Sequence, residues 1–108
     1  MKFSEMPYTR LELDDMIATV KKLTEALKAA KTYEEARAVF IEMDQEERHM
    51  MTQSTLASIR HSIDTRVEFY KEEDKYWNQA MPQLEEYVQQ WTLALMESPF
   101  RKDFEEEF

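Results

Sequence analysis

An all-α antiparallel bundle of three long helices and a short C-terminal fourth, elongated in shape, is the fold this sequence predicts, on three grounds. The 108 residues contain no glycine, the residue that most readily supplies left-handed turns and strand bends. Apolar residues recur at spacings of three and four over long stretches, and strand signals are absent. Helix-capping signals punctuate the chain at Thr32-Tyr33-Glu34-Glu35, at Asp64-Thr65 with Glu68, and at Ser98-Pro99.

Residues 1–10 read as an extended lead-in, because Pro7 pushes Met6 away from helical geometry and Thr9 is a cap for the first helix. That helix is predicted over 11–31, with Leu13, Met16, Ile17, Val20, Leu23 and Leu27 as one apolar stripe. The second starts at Tyr33. There the Thr32 hydroxyl is placed to accept from the Glu35 amide, and the Glu35 carboxylate to reach back to the cap's own amide. Its stripe of Ala36, Val39, Phe40, Met43, Met50, Ala57 and His61 carries Glu46 and Glu47 where an apolar pair is expected, yet no Gly or Pro interrupts it to 62. A third helix over 66–97, capped by Asp64 or Thr65, aligns Phe69 or Tyr70 with Trp77, Met81, Leu84, Val88, Trp91 and Leu95. Pro82 predicts a kink within it rather than an end. In the last segment, 99–108, Phe100, Phe104 and Phe108 fall on one face that runs to the final residue. That pattern favours a cut helix over rings that fold back onto the bundle.

Helices two and three, near 30 residues, reach about 45 Å, and the first, near 20, only about 30 Å. The hairpin end, residues 52–76, therefore lacks a third helix unless Phe3, Met6 and Tyr8 of the lead-in cover it. Apolar residues left uncovered mark a surface made to meet something else. The expected docking or self-association surface is Arg60, His61, Ile63, Asp64, Phe69, Phe100, Phe104 and Phe108.

Composition narrows the function classes. The absence of cysteine removes disulfides, thiolate catalysis and Cys-ligated metal, and agrees with a cytoplasmic location. No apolar run of membrane-spanning length and no signal-like N-terminus occurs. A net charge of −9, with no local basic patch, argues against nucleic acid and anionic lipid as partners.

Chemistry-bearing candidates are few. His49 and His61 stand twelve residues apart on one predicted helix, about 18 Å, so they do not share an ion within a chain. His61 reads as a hydrogen-bonded core or interface residue, and His49 as solvated. Glu46 and His49 form a single Glu-x-x-His, the unit that di-iron bundles contribute twice, and are weak metal candidates only. Ser54, Ser58 and Ser62 lie on helix faces with no base beside them, and the Trp, Tyr and Met stripes read as core. The acidic runs Glu72-Glu73-Asp74 and Glu105-Glu106-Glu107 read as solvated faces.

Three segments carry a family likeness: Met6-Pro7-Tyr8-Thr9-Arg10, the run Ser58-Ile59-Arg60-His61-Ser62-Ile63-Asp64-Thr65 followed by Glu68-Phe69-Tyr70, and Glu97-Ser98-Pro99-Phe100-Arg101. Together they resemble the N-terminal helical region of oligoendopeptidase F-type enzymes, zinc metallopeptidases of the thimet oligopeptidase family, over nearly the whole chain. The resemblance implies a non-catalytic segment that helps wall a deep channel over a zinc ion bound elsewhere. Members hydrolyse short peptides with a His-Glu-x-x-His helix and a further Glu ligand, and no such pentapeptide occurs here. The expectations are therefore no catalytic residue, no cofactor in this chain and no activity alone. Expected partners are the remainder of the peptidase or another copy of the chain, with peptides engaged only in the full-length context. The alternative is a free-standing acidic helical interaction module that self-associates.

Overall fold

A computed structural model describes residues 7–108. Four helices follow in order: α1 (Leu13–Ala29), α2 (Tyr33–Ile63), α3 (Glu68–Met96) and α4 (Arg101–Glu107), with no strand among the described residues. Helix α3 packs against both α1 and α2, and α1 also rests on α2. The bundle measures 51 × 28 × 17 Å. Its accessible surface of 7445 Å² exceeds the roughly 6,400 Å² expected for a compact chain of this mass. The difference reflects two helices much longer than the third.

The missing glycines set how the helices end. No described residue has a positive φ, so the left-handed termination common at helix ends is not used. The chain instead leaves α1 through extended Ala30 and α2 through extended Asp64. At the start of α2 the Glu35 amide donates to Thr32 Oγ1 at 3.2 Å, as the sequence predicts. The return bond differs by one residue, because Glu35 Oε2 accepts from the Lys31 amide at 2.8 Å.

The second expected capping box does not form. Asp64 Oδ1 accepts from the Arg66 amide and from Arg66 Nε, both at 3.0 Å, so this carboxylate closes a turn at the end of α2. Helix α3 begins after Val67 without a side-chain cap. Nor does Thr9 cap α1: Glu12 precedes that helix, again without a side-chain bond, and the Thr9 amide is used elsewhere. Ser98 does act in the last turn, its Oγ accepting from the Phe100 amide at 3.1 Å, though α4 starts two residues later than Pro99. Helix α3 continues through Pro82.

The core follows the α1 stripe closely: Met16, Val20, Leu23 and Leu27 are buried, joined by Thr24, whose hydroxyl donates to the Val20 carbonyl one turn back. On α2, Ala36, Met43, Met50 and Ala57 are buried as expected, together with Leu56 and the polar Gln53. On α3, Trp77, Leu84 and Trp91 form the buried ridge with Ala80 and Ala94, while Met81, Val88 and Leu95 sit half-buried along its edge. The buried face is thus rotated toward the alanines.

The hairpin end is covered in part by the lead-in. Residues 7–12 run along α2 and α3 in place of a third helix, and Tyr8 meets Phe69 and Tyr70 edge-on at ring separations of 6.2 and 6.1 Å. Phe3 and Met6, also expected there, lie outside the described residues.

Candidate docking surface

The contact between lead-in and hairpin is built around one acid. Glu73 lies one helical turn before Trp77 on the buried ridge of α3, and its side chain is 6% exposed. It accepts two bonds from Arg10, at 3.1 Å from Nε and 2.6 Å from Nη2, and a third from the Tyr8 hydroxyl at 2.8 Å. The Tyr8 oxygen in turn accepts from Trp77 Nε1 at 2.9 Å. Burial pushes the Tyr8 phenol up to about 12; the Trp77 bond opposes the shift and Glu73 adds to it. Two further bonds fix the backbone, from the Thr9 amide to Gln53 Oε1 at 2.7 Å and from the Tyr76 hydroxyl to the Leu11 carbonyl at 2.6 Å. The Arg10 guanidinium lies 4.1 Å from the centre of the Tyr76 ring. Glu73 is therefore no part of a solvated acidic face. It is a buried carboxylate with three donors, and Gln53 is polar within the α2 stripe because it holds the lead-in.

Beside this network Arg60, Ile63, Asp64 and Phe69 of the residues expected at the hairpin end, but not His61, border one groove of about 520 Å³ with Val67, Tyr70, Pro7 and Tyr8. Ile63 is 73% exposed and Phe69 57%. Arg60 Nη1 donates to the Tyr70 hydroxyl at 3.1 Å. The Arg66 bonds hold the Asp64 carboxyl below its usual range. His61 is half-buried on the same end, and its Nδ1 is buried without a hydrogen-bond partner. The hydrogen-bonded state expected of that ring is thus incomplete. An orphaned buried polar atom is costly in water-free surroundings, so this end is left unsatisfied in both apolar area and hydrogen bonding.

Phe100, Phe104 and Phe108 are not part of that surface. They belong to the opposite end of the bundle, where α4 folds back onto the start of α2. From Phe40, against which Phe104 and Phe108 stack, to Arg60 is twenty residues of helix, about 30 Å. Phe104 is only 6% exposed, with ring separations of 5.3 Å to Tyr33 and 5.1 Å to Phe40, and so is core rather than docking surface. Phe108 covers Phe40 at 4.7 Å yet stays 64% exposed. The rings fold onto the bundle.

Glu107 locks α4 in place by accepting from the Tyr33 hydroxyl and, at 2.5 Å, from Arg37 Nε. The Tyr33 bond, then the Arg37 bond and charge, hold its carboxyl below the ordinary 4.5. A carboxyl lowered by folding contributes stability that is fully present above its unfolded value and is lost as pH falls through the folded value. NMR of the Phe104 and Phe108 rings during acid titration should show α4 loosening as pH falls below the ordinary glutamate range, before the Trp77 signals change. An α4 that stays docked until global unfolding would contradict this.

No group of three or more His, Cys, Asp or Glu residues is arranged to hold a metal ion among the described residues. Glu46 is half-buried and His49 exposed, at a shallow cleft with Asp15 on the α1 side. His61 lies twelve positions further along α2, about 18 Å away. This donor set does not fit the zinc of a metallopeptidase. No helix among the described residues is long and apolar enough to cross a membrane.

A family model described as the peptidase M3 N-terminal domain matches residues 3–108. The chain belongs to the peptidase M3 N-terminal domain family. Two solved structures share this M3 N-terminal fold at a TM-score of 0.92 over 98% of the chain: PZ peptidase A with an inhibitor, 31% identical, and a putative oligoendopeptidase F, 30% identical. The M3 domain spans only 19% of either of those chains. A search of curated proteins gives no match.

Proposed function

We propose that this chain serves as the non-catalytic N-terminal domain of an M3-family zinc oligopeptidase, docking through its hairpin end onto a catalytic body and helping to wall that body's substrate channel. One observation carries the reading: the whole bundle superposes on a fifth or less of two peptidase chains, 19% in each case, at 30–31% identity. Such a domain needs surface to meet the rest of the enzyme. The 520 Å³ groove, exposed Ile63 and Phe69 and the unpartnered His61 nitrogen supply it. The zinc and its ligands belong to the catalytic body, since the two His residues here stand about 18 Å apart along α2 and no group of three or more His, Cys, Asp or Glu is gathered for an ion among the described residues. Lack of cysteine agrees with work in the cytoplasm.

The purified chain, incubated with zinc and a fluorogenic oligopeptide, should release no fluorescence above a protein-free control. Hydrolysis that a zinc chelator abolishes would overturn the reading, because it would require a metal centre within these residues.

A further inference from the structure

Three depressions lie end to end, two along the seam between α2 and α3 and the third where α4 closes the far end of that seam, and no α1 residue borders any of them. They measure about 190, 240 and 290 Å³. They are continuous, since Glu47 and Val88 border both the first and the second and Phe40 borders both the second and the third. Along α3 the seam is edged by Met81, Val88 and Leu95, each half-buried and each seven residues from the next. Along α2 it is edged by Phe40 and Glu47, also seven apart, and by Met51, 60% exposed. A seven-residue repeat keeps side chains in one straight line along a helix and seats the knobs of a neighbouring helix. From Phe40 to Met51 the seam runs about 16 Å, the length of three helical turns.

The charged residues that border the first two depressions are Asp44, Glu47 and Glu85, with no Lys or Arg among them. Asp44 is paired with Arg48 outside the seam at 3.0 Å, which leaves Glu47 and Glu85 as the acids open to a partner. Burial, and then the nearby Asp44, pushes the Glu47 carboxyl above its ordinary value, which marks it as poorly solvated where it stands. At the third depression Arg101 is already paired with Glu105 at 2.8 Å. A glutamate at a position where the α2 stripe calls for an apolar residue lowers stability in the free chain and rewards a positive partner.

We propose that this seam is a docking groove for a cationic amphipathic helix of another polypeptide, whose apolar residues seat between Met81, Val88 and Leu95 and whose flanking Lys or Arg side chains meet Glu47 and Glu85. It is a different face from the hairpin end and does not depend on the role given to that end. A second copy of this chain is a poor occupant, because a molecule of net charge −9 would bring acid to acid.

The test uses the 108-residue chain and a fluorescein-labelled helical peptide of about 18 residues, with Leu on a seven-residue repeat and Lys on both flanks, alongside a matched peptide with Glu flanks. The Lys peptide should bind at least about tenfold more tightly than the Glu peptide, with an affinity that falls as salt is raised. The double variant Glu47→Lys, Glu85→Lys should invert the preference, and Glu47→Gln, Glu85→Gln, the milder pair, should reduce it with the helical circular dichroism unchanged. Equal binding of the two peptides, no binding at millimolar concentration, or unchanged preference in both variants would each overturn the proposal. So would concentration-dependent dimerisation of the chain that either variant alters, since the seam would then be a contact between copies.

Discussion

Trp77→Ala will destabilise the chain by about 3–5 kcal/mol and lower its Tm by about 15 °C or more. Trp77 is 2% exposed, belongs to the core cluster and joins α3 to the lead-in through Tyr8. Truncation removes the largest side chain at that junction and also the N–H that donates to Tyr8. A small helical domain has about 5–15 kcal/mol of total stability, so the variant should sit at the edge of folding. Trp77→Phe keeps most of the ring and loses the donor, and should cost only about 1–2 kcal/mol. Thermal denaturation followed by circular dichroism separates the two. A loss below about 1 kcal/mol for Trp77→Ala would mean that the lead-in and hairpin do not form one core.

Arg10→Ala should be the next most damaging change, at about 3 kcal/mol, because it leaves the Glu73 carboxylate buried without its counter-charge. The cost falls at the low end for such a change for two reasons. Arg10 is itself 39% exposed, and the Tyr8 hydroxyl still donates to Glu73. Adding Glu73→Leu to Arg10→Ala should restore most of the loss, since a buried ion pair is often no more stabilising than apolar side chains of similar volume, and breaking one partner is what costs. Urea denaturation of the two single variants and the double variant closes the cycle. Additive losses would show that Arg10 and Glu73 do not act as a pair. Recovery would show that the acid is held there for the path it imposes on residues 7–12 rather than for stability.

Why the acid escapes a sequence reading is plain from its neighbours. Glu72-Glu73-Asp74 looks like a solvated run because its members are charged, yet helical spacing puts Glu73, Trp77, Ala80 and Leu84 on one face. Spacing from Trp77 is the signal that outranks residue type here, and the Arg10 and Tyr8 groups that satisfy Glu73 stand 63 and 65 positions away. Sequence patterns carry no information on such pairings. Local features were legible: the Thr32 cap, the α1 stripe and the number of helices all rest on near neighbours. Asp64 and Thr65 mislead because the same residue types that cap a helix also close turns, and Arg66 offers Asp64 the closer partner. For Phe104 the stripe is right and its destination is not. A face that ends with the chain looks open until Tyr33 and Phe40 are found against it. The exposure of Ile63 and Phe69 at the hairpin end was readable because no third helix reaches them. The α2–α3 seam was not, since Met81, Val88 and Leu95 read as core until Ala80 and Ala94 take the centre of the interface.

Whether this bundle is the front of a peptidase is most directly tested by sequencing the encoding transcript beyond the codon for Phe108. An open frame that continues into a helix-forming segment with His-Glu-x-x-His and a later Glu is the expected result. A stop codon immediately after Phe108 would contradict it and would favour a free-standing interaction module.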